Sequence, residues 1–243
     1  MRGHLSILPN SALKVKAVHI TYLKVCTRGL RLRINMHMSP RERSALLQAN
    51  VGLYPDFFSY LRAYKYAFKA LIKATEDKNC SVDLMSFPIL FIARHALEIG
   101  LKANIRYLVK YTNSSLGFTK LSNCHDISKL MIEFQDQLNL ALRIIKEKHQ
   151  IEIEQTAQAQ MENLLTCLKQ LIDGCNNFKG LGLIDNKSIS FRYPTDRDNQ
   201  PSIDPFEVIS LVKVEELFDQ AIVLLEYTPS VLGEYITSVR SDW

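Results

Sequence analysis

Four residues within one apolar segment could do chemistry together: Arg94, His95, Glu98 and Lys102. On a helix of about 100° per residue, Arg94 lies at the centre of the apolar face, Glu98 beside it, and His95 and Lys102 at its edge. An unpaired buried charge costs several kcal/mol. The charges therefore form an internal ion-pair network, or line a polar site in which Arg94 or Lys102 binds an anion such as phosphate. If the helix is rotated relative to this assignment of its buried face, these charged side chains lie in solvent.

Two further pairs of polar residues are candidates to join this cluster, in a binding or a structural role. His125 and Asp126 open a predicted helix, where an acidic residue suits the positive end of the helix dipole. Arg192 and Tyr193 lie on a predicted strand. Both pairs also have a plain structural interpretation, as a helix cap or turn and as a cross-strand pair.

The elements that must position these residues follow from apolar periodicity. Helical spacing predicts helices at about 55–78, 84–111, 125–149, 152–178 and 213–226. Pro229 is expected to end or kink the last one before a short tail helix. Residues 188–193 alternate in polarity and could pair with residues 208–212. The predicted fold is all-α, an up-and-down helical bundle with a small β-hairpin excursion near 188–212.

Composition excludes several classes of protein. Hydrophobic residues make up 47% and charged residues 23% of the 243, which is typical of a soluble globular chain and not of a disordered or fibrous one. No run of 18 apolar residues occurs, so no transmembrane helix is expected. The five cysteines are far apart and form no CxxC motif, which favours reduced thiols in the cytoplasm without a metal site. No nucleotide-loop, nucleophile-elbow or HExxH motif appears, and no cofactor is predicted.

Charge separates the first residues from the rest. Residues 1–41 contain eight Lys or Arg and no acid, whereas residues 42–243 contain 22 basic and 25 acidic residues. Residues 1–38 are a basic extension that is interpreted as a nucleic-acid tail, a transit peptide, or a disordered or mis-called start. Ser39, Pro40 and Glu42 form a capping pattern that predicts a helix directly afterwards. The predicted folded domain is 39–243.

The segment Phe91–Lys102 resembles the Arg-His-Ala-Leu-Glu-x-x-x-Lys helix of bacterial HEPN-like proteins. Residues 125–130 resemble the His-Asp-Leu-x-x-Leu helix start of that family, and residues 191–194 its Phe-Arg-Tyr-Pro hairpin, in the same order. The resemblance implies an up-and-down bundle with an RNA- or nucleotide-related role. Many such proteins are metal-independent ribonucleases of toxin–antitoxin or defence systems. An antitoxin or other partner protein and a homodimer with a composite site are also implied.

The active pair usual in that family is an Arg and a His four to six residues apart. The His moves protons at the 2′-hydroxyl and leaving oxygen, and the Arg stabilises the charged phosphorane. Arg143 and His149 have this spacing, but on a continuous helix they point about 120° apart. The predicted function is accordingly an HEPN-like protein with an RNA- or nucleotide-related role, with ribonuclease activity as one form of that role. The alternative is a non-catalytic binding module whose inner charges are structural.

Overall fold

The described part of the chain is helical. The computed structural model describes residues 39–50, 53, 56–117, 120–150, 152–196 and 198–240, and side chains as far as 234. The chain divides into two units, residues 1–49 and 50–243. In the first unit, helix α1 spans Pro40–Leu46, so a helix begins where the capping pattern predicts it. The predicted extension 1–38 lies outside the described residues.

The described residues of the second unit form a bundle of six α-helices, which confirms the prediction of an all-α protein. A single 3₁₀ turn at Leu121–Asn123 precedes α4. The α-helices are α2 Phe57–Glu76, α3 Val82–Thr112, α4 Ile127–His149, α5 Gln155–Asp173, α6 Leu181–Ile184 and α7 Leu211–Arg240.

Helix boundaries follow local capping chemistry. The Asp56 carboxylate accepts a hydrogen bond from the Ser59 amide and starts α2, and the Asp126 carboxylate accepts from the amides of Ser128 and Lys129 and starts α4. Helix α4 ends at Gln150, which has a left-handed conformation with φ of 54°. The residues at the two ends of α4 therefore account for its observed limits, which lie close to the predicted ones.

Helix α3 is the centre of the bundle and packs against α2, α4 and α7. The predicted apolar face is buried from Leu90 through Leu108 except for Phe91, which is partly buried, while Phe87 is half-exposed. By length and composition α3 is also long and apolar enough to cross a membrane, a criterion that the core helix of a soluble protein meets as well. More than half of its most apolar stretch is buried by the protein itself.

The predicted hairpin near 188–212 is wrong, since no β-strand occurs among the described residues of this segment. Turns fill it, with one isolated bridge between Thr195 and Pro201, and α7 already begins at Leu211. The Asp185 carboxylate accepts hydrogen bonds from the Ile189 and Ser190 amides. Because these amides are bound locally, they are not available to a strand ladder.

Helix α7 continues through Pro229 to Arg240, so the separate tail helix was wrongly predicted. A proline lacks the N–H that would bond the carbonyl four residues earlier, here that of Leu225. Asn104 of α3 replaces this donor, since its Nδ2 lies 2.8 Å from the Leu225 carbonyl oxygen. Gly100 permits the approach, because a Cβ there would lie 2.8 Å from Leu225 Cδ1.

Candidate functional site

Arg94 is the centre of a buried polar cluster. Its side chain is 0% exposed and donates hydrogen bonds in three directions. Nη1 binds Glu98 Oε2 at 2.9 Å, Nε binds the Asp185 carbonyl oxygen at 2.8 Å, and Nη2 binds the His125 carbonyl oxygen. One guanidinium group thus joins α3 to the residue before the α4 cap and to the residue that ends α6.

Glu98 is the common acceptor of the cluster. Its carboxylate, in a residue 4% exposed, accepts from Arg94, from Lys102 Nζ at 2.8 Å and contacts His125 Nδ1 at 2.9 Å. Burial alone raises the pKa of Glu98, but the hydrogen bonds from Lys102 and Arg94 outweigh it and hold this pKa below its ordinary value. The carboxylate is therefore charged at neutral pH, and Arg94, Glu98 and Lys102 lie in the interior rather than in solvent.

Asp185 completes the charge balance, and sequence reasoning missed it. The residue is 1% exposed, and its Oδ2 lies 3.4 Å from Arg94 Nε without a hydrogen bond. Two buried cations, Arg94 and Lys102, are thereby matched by two buried carboxylates. No signal in the sequence reveals Asp185, because an Asp followed by Asn and Lys in a Gly-containing segment is typical of an exposed turn.

His95 is held by aromatic rings and not by the ion pairs. Its imidazole meets the edge of Tyr64 at 4.9 Å between centroids and stacks on Phe91 at 5.6 Å. Burial lowers the pKa of His95, and the Glu98 charge opposes this only in part. The ring is thus neutral at pH 7.

His125 and Asp126 are adjacent in sequence but have different roles in the structure. The His125 imidazole is 55% exposed and covers Glu98 from the solvent side. Asp126, not His125, serves as the cap of α4, at the helix start where an acidic residue was expected to suit the dipole. Of the two, only His125 joins the cluster.

Arg192 and Tyr193 lie on the surface of the turn that follows Asp185. Both side chains are exposed, and the Arg192 guanidinium lies 5.6 Å from the centroid of the Tyr193 ring. Nε of Arg192 donates to the Ser188 carbonyl oxygen at 2.6 Å. A shallow depression of about 350 Å³ lies here, lined by Ile189, Arg192, Tyr193, Thr195 and Asp196. Arg192 does not hydrogen-bond to the Arg94 cluster.

Arg143 and His149 are separate from all of these groups. Both lie on α4, where Arg143 is exposed and His149 is half-buried. Neither forms an ion pair with another described residue, and they do not pair with each other.

The described residues contain no group of three or more His, Cys, Asp or Glu side chains arranged to hold a metal ion. Cys80, Cys124, Cys167 and Cys175 are free thiols. Comparison of the chain with protein-family models, with curated proteins and with solved structures found no match in any of the three. The likeness to HEPN-like proteins accordingly depends on the three sequence motifs alone.

Proposed function

We propose that this chain is an HEPN-like up-and-down helical module that binds RNA or a nucleotide without cleaving it. The three sequence motifs support the RNA- or nucleotide-related part of the proposal, and the burial of Arg94 supports the absence of cleavage by the motif on α3. A residue that stabilises a phosphorane must contact the phosphate, whereas Arg94 is 0% exposed and its donors already bind three protein groups. Lys102, at 6% exposed, is engaged by Glu98 in the same way. In this proposal the charged motif of α3 fixes the fold.

The ligand surface consists of the outward-facing groups on the elements that Arg94 joins. Its guanidinium binds the carbonyl oxygens of His125 and Asp185, so the start of α4 and the turn after α6 meet at one point. From these elements His125, Arg192 and Tyr193 reach solvent. A cation beside an exposed aromatic ring suits one phosphate and one stacked base. The excess of acidic residues over 42–243 favours a short, local contact over an extended nucleic-acid track.

Binding to a fluorescent single-stranded RNA and to AMP tests the proposal. Tyr193→Leu and Arg192→Gln should each weaken binding by about tenfold, since stacking and charged hydrogen bonds contribute roughly 1–3 kcal/mol each. Because both side chains are exposed, the melting temperature should not change. Lys146→Gln, an exposed site on α4 with the same loss of charge as Arg192→Gln, is the matched control. The RNA should remain intact throughout.

A ribonuclease is the second candidate, because Arg143 and His149 are accessible to a substrate while Arg94 is not. If the purified protein cleaves RNA and His149→Ala abolishes cleavage in a folded chain, the ribonuclease function is correct and the proposal of binding alone is wrong. If neither RNA nor AMP binds to the wild-type protein, both functions are refuted.

A further inference from the structure

A groove between the beginning of α2 and the middle of α7 is separate from the Arg94 cluster and from the proposed ligand surface at His125, Arg192 and Tyr193. It encloses about 290 Å³ and is lined by Phe58, Arg62, Glu226, Tyr227, Pro229 and Ser230. This volume is near the lower end of the roughly 300–1,000 Å³ of small-molecule sites. The groove therefore suits a ligand with one ring and not an oligomer.

The charge of the groove favours an anion. Arg62 is exposed, and its described hydrogen bond is a long one, 3.4 Å from Nη2 to Ser59 Oγ. The Asp56 carboxylate acts on it electrostatically, but Asp56 is hydrogen-bonded to Ser59 and lies beyond ion-pair distance of Arg62. Glu226 is already neutralised, because its Oε2 lies 2.7 Å from Lys65 Nζ. One guanidinium thus remains available, and guanidinium groups bind carboxylates through two parallel hydrogen bonds.

Three of the six residues that line the groove, Phe58, Tyr227 and Pro229, present rings to it. Phe58 is half-buried, and Tyr227 is 58% exposed, so one aromatic ring comes from each helix. Pro229 also lines the groove, in a turn of α7 that Asn104 anchors from α3 through the Leu225 carbonyl. These rings offer an apolar surface against which a planar ligand ring can stack.

From these contacts we infer that the groove binds a small aromatic carboxylate. The carboxylate lies on Arg62, with the Ser230 hydroxyl as a further donor, and the ring lies against Phe58 and Tyr227. The inference is independent of the proposed function, which involves none of these residues.

Ligand-observed NMR on the full chain tests the inference with three probes that separate the contribution of the ring from that of the charge. Phenylacetate should bind with a dissociation constant on the order of 1 mM or below. Phenylacetamide, which keeps the ring and loses the charge, should bind about tenfold more weakly, as should acetate, which keeps the charge and loses the ring.

Two variants locate the binding. Arg62→Gln should weaken phenylacetate binding by about tenfold and leave phenylacetamide binding unchanged, whereas Tyr227→Leu should weaken both. Lys146→Gln is again the control for lost charge, and circular dichroism verifies folding. Equal affinity of wild-type protein and Arg62→Gln for phenylacetate would overturn the inference. Absence of phenylacetate binding at about 10 mM would also overturn the inference. The same holds if AMP displaces phenylacetate at a concentration below the dissociation constant of phenylacetate.

Discussion

Substitution of Glu98 by Ala removes the acceptor shared by two buried cations. Arg94 and Lys102 stay in the interior, and the nearest remaining carboxylate is Asp185, 3.4 Å from Arg94 Nε. The formal charge of these buried groups changes from zero to +1. Lys102 retains only a 3.3 Å contact with the Ser122 carbonyl oxygen.

The size of the effect follows from this geometry. Removing one partner of a buried ion pair costs about 3–5 kcal/mol. For a unit of this size each kcal/mol lowers the melting temperature by about 2–4 °C, so the expected loss is roughly 6–20 °C. Urea unfolding at pH 7, followed by circular dichroism, measures the change in free energy directly. Glu147→Ala, an exposed change on α4, should alter this free energy by less than about 0.5 kcal/mol.

A second variant distinguishes the destabilisation caused by an unpaired buried charge from that caused by lost side-chain packing. Adding Lys102→Met to Glu98→Ala removes one uncompensated cation and should recover part of the lost stability.

The pKa of Glu98 is lowered by folding, so the contribution of its carboxylate to stability is present above the ordinary pKa of 4.5 and is lost as the pH falls through the folded value. That part of the acid sensitivity should be absent in Glu98→Ala. A change below about 0.5 kcal/mol at pH 7, or a double variant no more stable than the single one, would refute the reasoning.

Two further outcomes are expected. Asn104→Ala should cost about 1–3 kcal/mol in urea unfolding, because the Leu225 carbonyl is left without a donor. Pro229→Ala in that background should recover much of the loss by restoring the helical N–H, and no recovery would contradict the assignment. Burial lowers the pKa of His95, so the unfolded chain takes up this proton first and the stability should fall as the pH decreases from 6.5 toward the folded pKa. His95→Gln should lack this dependence between pH 7 and 5, and an unchanged slope in the variant would show that other groups cause it.

Local sequence determined most of the helices. Apolar spacing and the cap at Asp126 placed α4 within two residues of its observed limits. The same periodicity placed Arg94 on the apolar face of α3, where it is indeed buried. Both results depend on interactions within a few residues along one chain segment, namely helical hydrogen bonds and the alternation of buried and exposed faces.

Local rules were wrong where a distant group changed the outcome. Alternating polarity at residues 188–193 predicted a strand, but a strand needs a partner, and the amides of Ile189 and Ser190 bind the Asp185 carboxylate instead. Pro229 was expected to end or kink the last helix before a separate tail helix, but α7 is one helix through Pro229, where Asn104 of α3 supplies the donor that proline lacks.

The sequence by itself determined that Arg94, Glu98 and Lys102 need charged partners or a hydrated cavity. Apolar periodicity places them on or beside the buried face of a helix, and burial of an unpaired charge is costly in any fold. Only the tertiary structure decided which partners they have. Asp185 lies 91 residues from Arg94 along the chain, and nothing in its neighbourhood indicates burial. The identity of a partner depends on which loops the packed helices bring together, and this is a property of the whole bundle that no local pattern encodes.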